Sequence, residues 1–187
     1  IASADIALKD FNIFIGEQGA GKSTVAKLIT IFENSRDKVL KVDSDYLMTK
    51  FSEYNIISYF NPDSYISYSS EQGDITYEDG SFNFTFSYHS TSHNLYIPAE
   101  RFFISTFSRS IATLVLSKAP IPVTLLEFAS FYEKAKNLFV NYQAPIFNII
   151  FQVREASENL VLSNYDKIIP FKDASSGIQS VVPLLMV

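Results

Sequence analysis

Cysteine is absent from the 187 residues, which excludes a disulfide framework and any thiolate metal site. Histidine is almost absent: His89 and His93 are the two present, in Ser/Thr/Asn-rich sequence with no third ligand nearby. Neither a zinc site nor a serine–histidine–acid set is expected from them. No apolar run reaches the roughly 18 residues that a membrane-spanning helix needs. The longest, such as Pro145–Val153, are core-sized. No basic segment followed by an apolar one opens the chain, so no secretory leader is read. The triplet Asn83-Phe84-Thr85 is accordingly taken as a chance sequon. Positive charge is in deficit as well, with a net charge of -5 and a pI near 5.0. That argues against a chain that coats nucleic acid by bulk charge, while leaving a local basic groove open. These absences together suit a cytoplasmic chain with no membrane partner.

What is present is apolar and aromatic. The hydrophobic share is 47%, with Phe 17 and Tyr 11, enough for a real core and unlike a disordered composition. The length suits one domain, or a domain carrying an insertion. Ile1 is not a start methionine, and Val187 stands in the apolar run Val181–Val187, so a fragment is expected.

Asp5–Lys9 and Phe11–Ile15 read as two short strands, the second a compact apolar run suited to a buried parallel strand. From Lys22 to Phe32 the apolar positions Val25, Leu28, Ile29 and Phe32 fall at helical spacing. Tyr65–Tyr88 alternates polar and apolar residues around Glu78-Asp79-Gly80, which predicts an antiparallel meander with an aspartate–glycine hairpin. Asn94–Pro98 reads as a further buried strand. Glu100–Ser117, Val123–Asn141 and Pro145–Leu160 read as mainly helical, punctuated by Pro120, Pro122 and Pro145.

Between the second strand and the first helix lies Gly16-Glu17-Gln18-Gly19-Ala20-Gly21-Lys22-Ser23-Thr24, a complete phosphate-binding loop in the strand-to-helix context that it requires. Glycines let successive backbone N–H groups turn inward on phosphate oxygens, and the helix adds its positive dipole end. The expected cradle is Gly16, Gly19, Ala20, Gly21, Lys22, Ser23 and Thr24. Lys22 would neutralise β- and γ-phosphate charge, Ser23 would place its hydroxyl on Mg²⁺, and Thr24 would reach the α-phosphate. ATP and Mg²⁺ are therefore the expected ligands.

Late in the chain, Ala174-Ser175-Ser176-Gly177-Ile178-Gln179-Ser180 runs into an apolar helix. A serine before a helix is ordinary capping. After a phosphate-binding loop it also has the shape of an ABC signature, in which hydroxyl, N–H groups and helix dipole form an anion site. With Tyr96-Ile97-Pro98-Ala99-Glu100-Arg101 between them, the segments in this order resemble the ABC/AAA-type ATPases of the OLD and RecF/SMC-like group.

The resemblance implies an α/β P-loop NTPase, ABC-ATPase-like, with a parallel core sheet, an antiparallel meander and a helical subdomain. Residues about 1–98 would form the P-loop lobe and about 99–187 the helical lobe with the signature. It implies a homodimer or higher oligomer in which ATP is held by one chain's loop and, in trans, by Ser175, Ser176, Gly177 and Gln179 of another. It further implies ATP hydrolysis in the complete protein, an effector protein or domain, and a setting in phage defence or DNA repair.

This chain departs from the family pattern at Ile178, where a second glycine is usual, and near Pro98, where Glu100 and Arg101 replace a glutamine. Arg101 reads as half of an ion pair with Glu100, with phosphate sensing as the alternative. The family's Walker B strand would follow Val187, so no catalytic carboxylate is assigned. Asp43 and Asp45 after Val39–Val42, and Glu127 after Leu125-Leu126, are weaker candidates. Alternative readings are a small-molecule or nucleotide kinase using Asp43 or Asp45, a nucleotide-gated interaction module without hydrolysis, and, more weakly, a transporter ATPase subunit. Lys134, Lys136 and Arg154 read as a solvated helical face.

Overall fold

The computed structural model describes residues 4–35, 42–71, 73–86, 94–107, 110–144, 147–154, 157–162 and 167–187. The chain divides into two compact units, Ile1–Tyr96 and Ile97–Val187.

In the first unit, helix α1 (Lys22–Asn34) and helix α2 (Ser44–Glu53) pack with strands β1 (Ile66–Ser70), β2 (Gly73–Glu78) and β3 (Ser81–Phe86). The strands form one antiparallel sheet in the order β1-β2-β3. α1 presents Leu28, Ile31 and Phe32 to the core at helical spacing. α2 starts on Asp43, whose carboxylate accepts the Tyr46 N–H at 2.9 Å. It stops at Asn55, which is left-handed (φ 55), while the Ile56 N–H returns to the Phe51 carbonyl at 2.9 Å. The β2–β3 turn uses Asp79 (φ 50) and Gly80 (φ 75), both left-handed, the turn whose twist matches the strands it joins. It sets Glu78 opposite Ser81, which brings Tyr77 opposite Phe82 and Ile75 opposite Phe84 on one face. Phe51 is fully buried, stacked on Phe60 at 4.3 Å and edge-on to Phe32 at 6.1 Å. Burying a side chain of this size contributes roughly 2–3 kcal/mol.

The second unit opens with a 3₁₀ turn, Ala99–Arg101, which runs directly into helix α3 (Phe102–Phe107). Helices α4 (Ile111–Leu116) and α5 (Val123–Leu138) follow. Then come strands β4 (Asn141–Ala144), β5 (Ile149–Arg154), β6 (Ser157–Leu162) and β7 (Lys167–Pro170), and helix α6 (Ser176–Met186). The four strands form an antiparallel meander in sequence order. Phe151 of β5, opposite Leu160, packs between Tyr132 of α5 and Phe171, with ring centres 6.4 and 5.0 Å away. The Tyr142 hydroxyl donates to the Leu185 carbonyl at 2.9 Å, tying β4 to α6.

The expected parallel core sheet is not found among the described residues. Both sheets are antiparallel, and neither Phe11–Ile15 nor Asn94–Pro98 is a strand in them. Phe11 is 80%, Ile13 70% and Ile15 90% exposed. An apolar run supplies the side chains of a buried strand, but a strand exists only where a second backbone accepts its N–H and C=O groups. The architecture therefore departs from the P-loop NTPase head that the resemblance implied. The expected helix over Pro145–Leu160 is also replaced, by the β5–β6 hairpin. Ile149, Ile150 and Val153 are β-branched, and burial of Ile149 and Phe151 alternates along the strand.

Candidate functional site

The chain passes from the largely exposed Phe11–Ile15 segment, which is no strand, into Gly16 and closes a tight turn, in which the Ala20 N–H donates to the Glu17 carbonyl at 3.2 Å. Gly19 (φ 84) and Gly21 (φ 89) are both left-handed. At Gly19 an added Cβ would meet nothing within 4 Å, so backbone conformation and not crowding selects glycine there. Gly21 occupies the cap position of α1 without a side chain to cap it. The first intrahelical bond is that from the Val25 N–H to the Gly21 carbonyl, at 3.0 Å. The N–H groups of Lys22, Ser23 and Thr24 precede it and have no intrahelical acceptor. They are the donors that a helix start offers to an anion.

Lys22 folds back over this turn. Its ammonium donates to the carbonyls of Gly16 (2.8 Å) and Glu17 (2.6 Å). One cation thus sits on the carbonyl side of a loop whose next amides are free to accept negative charge. Ser23 is exposed beside it and Thr24 half-buried. All seven residues of the expected cradle lie in this one turn and the first turn of α1. The donor set fits a phosphate chain. It also fits Mg²⁺, which takes one hydroxyl such as that of Ser23 and otherwise relies on phosphate oxygens and water. No group of three or more Asp, Glu or His side chains is gathered for a metal among the described residues.

The late serine motif forms a real helix start. Ser175 is extended and its Oγ accepts the Ile178 N–H at 3.5 Å. Ser176 and Gly177 are exposed on the first turn, and a Cβ on Gly177 would meet nothing within 4 Å. Gln179 lies elsewhere. It is 8% exposed, its amide donates to the carbonyls of Lys172 and Ala174, both at 2.8 Å, and its oxygen lies 3.1 Å from Ser105 Oγ. Its polar atoms are turned into its own unit.

The weaker candidates have local duties. Asp43 is the cap of α2, and Asp45 is exposed in that helix's first turn. Glu127 is half-buried on α5. Arg101 has no ion pair with Glu100. Its Nη1 donates to the Pro98 carbonyl at 3.3 Å, and its buried Nε has no hydrogen-bond partner. His89, His93 and Val39–Lys41 lie outside the described residues.

Lys136 is not a solvated side chain. Its ammonium meets Glu133 and Glu158 at 2.6 Å each and lies 5.0 Å above the Tyr132 ring. Burial pushes the Tyr132 phenol above its ordinary value, with Glu158 and Glu133 adding to the shift. The signal was in the spacing, since Phe128, Tyr132 and Lys136 fall on one stripe of α5. No protein-family model, curated protein or solved structure matches this chain.

Proposed function

We propose that this chain binds ATP with Mg²⁺ at the Gly16–Thr24 loop and that binding drives its pairing with a second copy. The observation that carries the reading is the loop itself. Two left-handed glycines, an uncapped helix start and a lysine laid over the turn combine a cation with unpaired amides. Each feature alone is common, and together they match what a triphosphate needs: convergent N–H donors and one mobile positive charge. Mg²⁺, when bound, would neutralise phosphate charge, and Ser23 is the residue that would hold it.

Pairing rests on the resemblance of the Ser175–Gly177 cap to an ABC signature, and on the exposure of Ser176 and Gly177. ATP that contacts both copies favours the closed pair by exactly its extra affinity for that state. In this reading the pair is an ATPase in the complete protein, acting on an effector in a defence or DNA-repair setting. The net charge of -5 gives nucleic acid no support as the direct partner. Among the described residues no helix is long and apolar enough to cross a membrane. The alternative kinase reading would use Asp43, one of whose carboxylate oxygens accepts the Tyr46 N–H, or the exposed Asp45.

The test is calorimetric titration of ATP with Mg²⁺ into the wild-type chain and Lys22→Ala, with circular dichroism to follow unfolding. Loss of binding with an unchanged unfolding curve is expected, because Lys22 bonds only to exposed loop carbonyls. Equal affinities would remove the proposal.

A further inference from the structure

The motif around α6 resembles one in which the glutamine sits with the serine and glycine as part of a surface contact. The geometry here divides that motif in two. Ser176 and Gly177 face outward, whereas Gln179 is buried and bonded at both ends of its carboxamide. Its nitrogen has two protons and two acceptors, the carbonyls of Lys172 and Ala174. Those carbonyls belong to the turn that leads straight into the Ser175 cap. Its oxygen faces Ser105 Oγ on α3, which is also 2.8 Å from the Phe102 carbonyl, so one hydroxyl proton is shared between helix and amide. One buried side chain thus fixes the approach to α6, the first turn of α6 and the middle of α3.

We infer that Gln179 is a positioning residue, which sets the orientation of the exposed Ser175–Gly177 cap through the 172–174 turn and Ser105, and does not itself touch a ligand or partner. The inference rests on the proposed role of that cap in ATP-driven pairing. The element at the other end of the linkage matters too. α3 continues without a break from the Ala99–Arg101 turn, so a displacement of that turn would reach the cap through Ser105 and Gln179.

The experiment uses the full chain and four forms: wild type, Ser105→Ala, Gln179→Leu and the double variant. Three readings are taken on each: ATP affinity by calorimetry, ATP-dependent pairing by sedimentation velocity, and amide hydrogen exchange over 174–180. Gln179→Leu should leave ATP affinity within about twofold and speed exchange of the hydrogen-bonded amides of Ala174, Ile178 and Gln179 by about tenfold, the scale of losing a hydrogen bond. It should weaken pairing in parallel. Ser105→Ala should give smaller changes in the same two readings, and the double variant should be no worse than Gln179→Leu, because Ser105 acts through Gln179. Should Gln179→Leu fail to fold, Ser105→Ala still decides the matter, since it keeps the carboxamide and both carbonyl bonds. Weakened pairing with unchanged exchange, or effects of the two substitutions that simply multiply, would overturn the inference. A wild-type chain that binds ATP without pairing would remove the role of the cap, and the exchange reading would then judge the positioning claim alone.

Discussion

Two glycines with nearly the same backbone allow the loop's contribution to binding to be separated from its contribution to stability. Gly19 has φ 84 and Gly80 φ 75, and at neither would a Cβ meet any atom within 4 Å. Alanine at either position therefore carries no clash. What remains is the cost of holding an L-residue in the left-handed region, about 1–2 kcal/mol. The surroundings decide where that cost is felt. Gly80 sits in a two-residue turn with Glu78 paired to Ser81, so its φ cannot relax without opening the β2–β3 ladder. Gly80→Ala should lower unfolding stability by about 1–2 kcal/mol and leave ATP affinity unchanged. Gly19 lies in an exposed turn held by one backbone bond, from Ala20 to Glu17. Gly19→Ala can relax there, so its stability loss should be under about 0.5 kcal/mol, the usual size for a surface change. The bound loop needs the left-handed turn, so the same 1–2 kcal/mol should appear as a roughly 5- to 30-fold weaker ATP affinity. Urea unfolding and ATP calorimetry on both variants measure the two quantities. Normal ATP affinity in Gly19→Ala would refute the claim that this turn is the binding conformation.

Three further outcomes follow from the same geometry. Ser176→Arg should bind ATP normally as a monomer yet fail to pair, and its mixture with Lys22→Ala should recover part of the ATP-dependent pairing that neither shows alone, as read by sedimentation. Loss of monomer ATP binding in Ser176→Arg would place that residue at its own chain's loop. Phosphate release by this chain should not exceed that of Lys22→Ala, because no catalytic carboxylate is assigned in it; turnover near the slow enzymatic scale of about 1 per second would mean that one of Asp43, Asp45 and Glu127 serves as one. Lys136→Met should cost about 3–5 kcal/mol in urea unfolding, since it leaves Glu158 mostly buried beside Tyr132 without its cation; a loss under about 1 kcal/mol would mean that the pair is solvated.

The parts that were legible in the sequence are those specified within a few residues. The Gly16–Thr24 loop, the start of α1 and the Asp79-Gly80 hairpin depend on glycine conformation and helix capping, which neighbouring residues set. Most of the expected helix Val123–Asn141 was legible, with α5 covering Val123–Leu138 and burying Thr124, Phe128, Tyr132 and Ala135, whereas Asn141 opens β4. What failed depends on distant partners. Phe11–Ile15 has the composition of a parallel strand, but no local feature names the backbone that would pair with it. Pro145–Leu160 is apolar enough for either helix or strand, and the choice is made by β4 and β7, which flank the hairpin. Gln179 was read from its motif as an outward group. Its buried position follows from Ser105, Lys172 and Ala174, and of these only the last two are near in sequence.

The central claim is that the amides at the start of α1 and in the turn before it take the phosphates of ATP. Backbone amide shifts of the full chain, followed by NMR as ATP with Mg²⁺ is added, test this most directly. The account predicts the largest saturable shifts at Gly19, Ala20, Gly21, Lys22, Ser23 and Thr24, with inorganic phosphate moving the same amides more weakly and Lys22→Ala abolishing the response to ATP. Saturable shifts elsewhere with those six amides unmoved, or no shift at millimolar ATP, would contradict it.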